Sequence, residues 1–282
     1  MKKFFALVLA LVMSLSLVAC GGGDDTAADG GADAEDGGNA ETAAYQVAMI
    51  TDYGDITDQS FNQTTYEACQ EFCDAEGLQF EYYKPAGDST AERVAMVDAA
   101  VADGYNVIVM PGYAFAETIK ETAELYPDVT FIALDVAQGD LGEDYTVPSN
   151  VYCAVYQEEL CGYMAGYAAV KLGYTHLGVL GADAAAVEMG IADQVVMEYV
   201  YGNQFFGDSD ITAYMDNWYQ TLGVEVVFAS GGGIYTSAAE AAAKVGGKLI
   251  GVDVDQSANI DTYGEGMCVT SAMKGLAETV KH

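Results

Sequence analysis

Gln46-Val-Ala-Met-Ile50 runs straight into Thr51-Asp52. The same phrase returns as Asn106-Val-Ile-Val-Met110 before Pro111-Gly112-Tyr113, and as Val129 to Leu134 before Asp135. Each is an apolar run without alternation, closed by polar or turn-forming residues. A strand buried on both faces reads this way. Between the runs the spacing becomes helical. Ser60 precedes a helical stretch to Glu76 with Phe61, Thr65, Cys69 and Phe72 along one face, and Thr90–Ala102 carries Val94, Val97 and Val101 as a stripe. Gln79–Tyr83 adds a strand, and a further helix is expected up to Tyr126. Strand–helix–strand repetition predicts a parallel sheet with helical crossovers.

The pattern pauses in the polar stretch Gly139 to Asn150 and then restarts. Gln157–Lys171 reads as a helix with Leu160, Met164, Tyr167 and Ala168 on one side. His176–Leu180, Gln194–Tyr199, Val224–Phe228 and Lys248–Val252 read as strands, and Ser209–Leu222 and Ile234–Val245 as helices. The fold class is therefore α/β, with two lobes separated by an irregular crossing. The expected boundaries are residues 45–153 for the first lobe, 154–255 for the second, and 256–282 for a hinge return with the start of an incomplete helix.

Ahead of this body, residues 1–19 have a positive start at Lys2 and Lys3, an apolar run and small residues, the layout of a secretory signal peptide. Cys20 follows directly, as in a bacterial lipobox, and is the expected lipidated first residue of the mature chain. Residues 20–44 are rich in Gly, Ala, Asp and Glu, with nothing able to repay the entropy of ordering, and read as a disordered acidic tether. The address is the extracytoplasmic face of the cell membrane, with contact to the membrane through the lipid anchor alone.

Against 10 Lys+Arg the chain has 43 Asp+Glu, a formal charge of -33. Such a surface repels phosphate backbones and anionic headgroups, so nucleic acid is excluded as a partner. Cys69, Cys73, Cys153, Cys161 and Cys268 lack the paired spacing and histidines of a zinc site, and only His176 and His282 are present. No metal, no cofactor and no catalytic base is expected, and the body is expected to act as a monomer.

Ligands of α/β folds sit beyond the carboxyl ends of the strands. Those ends carry Thr51-Asp52, Pro111-Gly112-Tyr113, Asp135, Ser230-Gly231-Gly232-Gly233 and Asp253-Val254-Asp255. Carboxylates accept hydroxyl hydrogens in pairs, which suits vicinal hydroxyls on a sugar ring. Tyr66, Tyr113 and Phe115 are candidates to sandwich a flat ring. The glycine triplet lacks the Lys-Ser/Thr of a P-loop and reads as close backbone approach to an uncharged ligand.

Five segments carry a family resemblance: Met49-Ile-Thr-Asp52, Asp58-Gln-Ser-Phe-Asn62-Gln63, Phe228-Ala-Ser-Gly-Gly-Gly233, Ile250-Gly-Val-Asp-Val-Asp-Gln256 and Thr270-Ser-Ala-Met-Lys274. Together they resemble the basic membrane protein family of lipoproteins, substrate-binding proteins of ABC importers whose characterised members bind purine nucleosides. The resemblance implies a periplasmic-binding-protein fold, type I-like, with two Rossmann-like lobes joined by a hinge. It implies that Asn62 and Tyr66 hold and stack the base, that Asp52 or Asp58 and Asp135 add polar contacts, and that Gly232, Asp253 and Lys274 reach the ribose or base edge. A nucleoside ligand and ABC permease subunits are the implied partners.

The chain departs from that family in two places. Between His176–Leu180 and Gln194 it looks shortened, as by an internal deletion, and its C-terminus looks truncated inside a helix at Thr279-Val-Lys-His282. Both features predict lower stability than relatives. Two other functions stay open at this point: an extracytoplasmic sensor for a signalling receptor, and a sugar as the ligand. A nucleoside hydrolase is disfavoured, because no nucleophile–base pair is visible.

Overall fold

The computed structural model describes residues 45–179, 196–200 and 205–281. The expected signal, Cys20, the tether and the shortened link at 180–195 lie outside the described residues. No helix among those described is long and apolar enough to cross a membrane.

The first sheet contains β1 (Gln46–Ile50), β2 (Gln79–Tyr83), β3 (Val107–Pro111), β4 (Thr130–Leu134) and β5 (Val151–Ala154), all parallel, in the order β2-β1-β3-β4-β5. Successive residues of a strand point to opposite faces, and here both faces are buried. Ala48, Ile50, Ile108, Met110, Phe131 and Ala133 pack toward α2 (Thr90–Ala102) and α3 (Ala116–Thr122). Val47, Met49, Val109 and Leu134 pack toward Cys69 and Cys73 of α1 (Phe61–Glu76). The unbroken apolar runs in the sequence are the consequence. β5, directly after the polar stretch, is a strand the sequence pattern does not announce: its four residues form an edge strand, and Asn150 anchors its start by donating to the carbonyls of Ala123, Tyr126 and Val129.

The second sheet repeats the plan with β6 (His176–Val179), β7 (Val196–Tyr199), β8 (Val226–Phe228), β9 (Lys248–Asp253) and β10 (Cys268–Met273), again all parallel, in the order β10-β9-β8-β6-β7. Counted along each lobe, both sheets have the doubly wound order 2-1-3-4-5, with a switch point between the first and third strands. One face is covered by α6 (Ser209–Asn217) with Trp218 and Tyr219, and by α7 (Tyr235–Ala243). A short α4 (Gln138–Leu141) lies in the first lobe, and α5 (Glu158–Lys171) covers the other face of the second sheet.

Two expectations change here. Leu160, Met164 and Tyr167 of α5 are exposed, and Gly162, Ala165 and Ala169 face the sheet. Residues 160 and 162 stand about 200° apart on a helix, so the face with the small residues, which allow close approach, excludes the larger stripe. Residues 268–273, expected in a hinge return, are the last strand of the second sheet. After α8 (Ser257–Ile260) and β10, the chain returns to the first lobe as α9 (Leu276–Lys281), where Val280 joins the α1 core and Lys281 pairs with Glu71 at 2.7 Å. The two lobes are thus linked at residues 155–157 and 274–275.

Candidate functional site

The carboxyl ends of β1, β3 and β4 face those of β8, β9 and β10 across a cavity of about 540 Å³. This is within the usual size of small-molecule sites, about 300–1,000 Å³. The switch point of the first sheet, between β1 and β3, opens on it, as expected for this topology.

The loop after β1 builds one wall. Asp52 accepts from the backbone of Tyr53 and Gly54, both at 2.6 Å, and from Asn62 Nδ2 at 3.1 Å. A side chain on Gly54 would collide with that Asn62 amide, so the position requires glycine. Asp58 accepts from the backbone of Ser60, Asn62 and Gln63 and from Asn62 Nδ2 at 3.0 Å. It caps the first turn of α1, the ordinary use of an aspartate there. Burial raises its pKa above the usual carboxylate range despite those donors. Both carboxylates hold the Asn62 amide nitrogen, and its Oδ1 is buried without a partner on the cavity wall. A buried acceptor left open is costly unless a ligand donates to it.

The opposite wall is charged. Lys274 Nζ lies 2.7 Å from Asp135 Oδ2 and 3.2 Å from Glu158 Oε1, above the rings of Phe61 and Tyr156. Burial pulls the lysine pKa down, but Asp135, Asp253 and Glu158 together carry it above its usual value. Glu158 is raised, first by its hydrogen bond with Asp135 and then by burial. Asp253 is raised by burial, which outweighs the hydroxyl of Ser60 and the charge of Lys274. Asp135 and Asp253 have φ of 63° and 65°, and Gln59 has 58°; these are the non-glycine residues at positive φ among those described. Such backbone concentrates at functional sites.

Of the nine residues expected to bind ligand, Asp52, Asp58, Asn62, Tyr113, Asp135, Gly232, Asp253 and Lys274 line this one cavity. Tyr66 does not. Its ring packs against Phe80 at 5.5 Å and Tyr82 at 5.4 Å of the edge strand β2, because residue 66 lies about 40° from residue 62 and one turn further from the cleft. Phe115, the third aromatic candidate, is fully buried beneath the Arg93 guanidinium. The aromatic surface comes from Phe61, Tyr113, Tyr163, Phe205 and Phe228, with Phe205 6.2 Å from Tyr113 and 6.1 Å from Tyr53. Phe61 was legible only as a core position, and Phe205 had no periodic signal. Glu158 and Glu159 were readable only as a helix start.

Gly232, at φ 49°, lets the Phe205 backbone close in: a Cβ would lie 2.9 Å from the Phe205 carbonyl, and Gly233 N donates to that same oxygen at 2.7 Å. The triplet therefore shapes the wall that carries Phe205. Among the described residues no group of three or more His, Cys, Asp or Glu could hold a metal ion. With carboxylate acceptors, one ammonium and aromatic faces, the site is equipped to bind an uncharged or cationic polar molecule.

Residues 45–282 match the family model described as ABC transporter substrate-binding protein PnrA-like. The chain is 27% identical to the CD4+ T-cell-stimulating antigen of Listeria innocua, covering 90% of this chain and 74% of that one. It is 24% identical to the ABC transporter nucleoside-binding protein BmpA of Lactococcus lactis over 48% of this chain and 38% of that one. In three dimensions it is similar to an ABC transporter solute-binding protein from Aeropyrum pernix, with a TM-score of 0.68, 21% identity, and coverage of 84% of this chain and 69% of that one.

Proposed function

Since the chain belongs to the PnrA-like family of ABC transporter substrate-binding proteins, and is thus a binding protein and not an enzyme, we propose that it captures an uncharged purine nucleoside between its lobes and delivers it to the permease of an ABC importer. The observation that carries this reading is the composition of the cavity wall. Six acids (Asp52, Asp58, Asp135, Glu158, Glu159 and Asp253) and one base, Lys274, surround it, with aromatic faces at Phe61, Tyr113 and Phe205. Stacking accepts a flat base, the acids accept ribose hydroxyls, and the same acids repel a phosphate. Asn62 Oδ1 takes an N–H of the base, while Asp253, Lys274 and the Gly232 backbone take the ribose or the base edge. The similar Lactococcus lactis protein is named as nucleoside-binding, which supports the choice of ligand class. Relatives named as lipoproteins support an anchor at Cys20 and an extracytoplasmic location.

The energetics suffice. Stacking contributes about 1–3 kcal/mol, and each hydrogen bond to a charged group roughly 1.5–3 kcal/mol. A few of these, less the ordering that closure requires, reach about -8 kcal/mol, a micromolar Kd. Calorimetry against adenosine, guanosine, inosine, free bases and pentoses tests the reading. Micromolar or tighter binding of a purine nucleoside is expected. Binding of a pentose or hexose with none of the nucleosides would reassign the site to sugars.

A further inference from the structure

Gln256 is fully buried just ahead of α8, and its carboxamide is used completely. Oε1 accepts from Val252 N at 3.0 Å, so the end of β9 fixes the group in place. The two hydrogens of Nε2 go to the Gly232 carbonyl at 3.3 Å, within the second lobe, and to the Gln59 carbonyl at 3.2 Å, in the first. Gln59 has φ 58°, and its amide donates to Gln63 Oε1 at 3.0 Å, which turns its carbonyl outward from the first lobe. The next residue, Ser60, is also fully buried, and its hydroxyl donates to Asp253 Oδ2. One dipeptide of the first lobe therefore makes two hydrogen bonds to one four-residue segment of the second, 253–256.

We propose that Gln256 is a positioning residue: together with Asp253 it latches the Gln59-Ser60 finger onto the second lobe, and so sets how much of the protein is closed before any ligand arrives. The inference takes the cavity as the ligand site of a substrate-binding protein, but it does not depend on which ligand fills it. Contacts with a ligand add to closure only when the ligand is present. These two bonds use protein groups on both sides, so they favour closure with the cavity filled or empty. They break together when the lobes part, because Gln59 and Ser60 are adjacent and move as one. The latch also explains a backbone choice. A glutamine in the left-handed region is unfavourable unless its surroundings hold it there, and here a donor in the other lobe requires it.

Gln256→Glu keeps the acceptor used by Val252 and removes both donors, while Ser60→Ala removes the second bond and Ser60→Thr keeps it. Hydrogen exchange on the ligand-free full chain, followed by mass spectrometry, reads the peptide spanning residues 53–63 against β9 as an internal control. Exchange of 53–63 is expected to rise about tenfold in Q256E and in S60A, as expected for the loss of one or two buried bonds. S60T should stay near wild type, and β9 should be unchanged. Inosine dissociation, measured by stopped flow, should speed up by a similar factor in Q256E and S60A. If Q256E loosens β9 itself, S60A decides, since the Ser60 hydroxyl bonds to the Asp253 side chain and, unlike Gln256, not to a β9 backbone amide. Unchanged exchange of 53–63 in S60A overturns the latch. Failure of the wild type to bind inosine, adenosine and guanosine overturns the nucleoside reading and leaves the ligand-free measurement to judge the latch.

Discussion

Lys274→Met removes the one base from the cavity wall, and the structure sets the expected size of the effect. The side chain is 13% exposed and is the counter-charge for Asp135 and Glu158, with Asp253 close by. Removing one partner from a buried pair costs about 3–5 kcal/mol. Glu158 is half exposed and can turn toward water, so the loss at neutral pH is expected nearer 2–4 kcal/mol. For a body of this size that corresponds to a fall in Tm of about 4–16 °C. The pH dependence follows from the sign of the carboxylate shifts. Glu158 and Asp253 already sit above their usual pKa values, and without the lysine they rise further. An acid raised in the folded state binds more protons there than in the unfolded chain, so stability falls as pH climbs through that window. The deficit of K274M should therefore be largest near pH 7.5 and shrink toward pH 5, and adding Asp135→Asn should recover part of it. Thermal melts of wild type, K274M and K274M/D135N at both pH values are the assay. An equal deficit at pH 5 and pH 7.5 would show that Lys274 acts by packing on Phe61 and Tyr156, and the electrostatic argument would fail.

Phe205→Ala should weaken purine nucleoside binding by about 1–3 kcal/mol, the worth of one stacked base, with little change in Tm, as calorimetry and melting would show. Adenosine 5′-monophosphate should bind at least about a hundredfold more weakly than adenosine, because its phosphate enters a wall of six acids and one lysine; equal affinities in competition binding would contradict the charge argument. Tyr66→Ala should lower stability by roughly 2 kcal/mol through lost contact with Phe80 and Tyr82, while nucleoside affinity stays within about twofold. Asp253→Asn should abolish tight binding yet raise the Tm of ligand-free protein at pH 7, since burial raises the Asp253 pKa and the uncharged amide avoids that penalty; the gain should fade as the pH drops below that raised pKa.

The sheets were legible because both faces of each central strand are buried, which leaves unbroken apolar runs such as Ile108 to Met110. Edge strands are not covered on both faces, and β5 and β10 mix exposed or half-buried polar residues into the run. That is why the first was missed and the second was assigned to a hinge return. Most of the site was legible for a related reason: parallel sheets bring all their carboxyl ends to one side, so a polar residue after each strand is enough to locate it. Of the aromatic partners only Tyr113 was legible. Tyr66 and Asn62 are four residues apart on one helix, and whether a ring turns to the cleft or to the outer sheet edge depends on Phe80 and Tyr82, which a local reading does not bring near. Phe205 comes from a segment without periodicity, and the close approach of the Gly232-Gly233 backbone brings it to the wall. Helix α5 misled for the opposite reason. Its larger apolar stripe is the more conspicuous in the sequence, yet close packing on a sheet rewards Gly162, Ala165 and Ala169.

A deeper regularity joins the fold to the site. Each lobe has the same strand order, and each ends its fourth strand in an aspartate at positive φ: Asp135 after β4 and Asp253 at the end of β9. Ordinary residues avoid that backbone, whereas a short polar side chain tolerates it. In the left-handed region the chain turns sharply as it leaves the sheet, so each carboxylate is set by the backbone more than by a choice of side-chain rotamer. Asp253 at the latch, Asp135 beside the crossing, and Lys274 on the crossing itself then meet across the lobes. Local backbone bonds and turns fix these acids within their own lobes, so closure is expected to change the distance between the lobes' charges without rebuilding either set. That division of labour makes a specific demand: mutations in Ser60 or Gln256 should alter how often the arrays meet, and mutations in Asn62, which takes no part in the latch, should alter what they recognise. If S60A changed the order of preference among adenosine, guanosine and inosine, instead of weakening all three by a common factor, the separation between latch and recognition would be wrong.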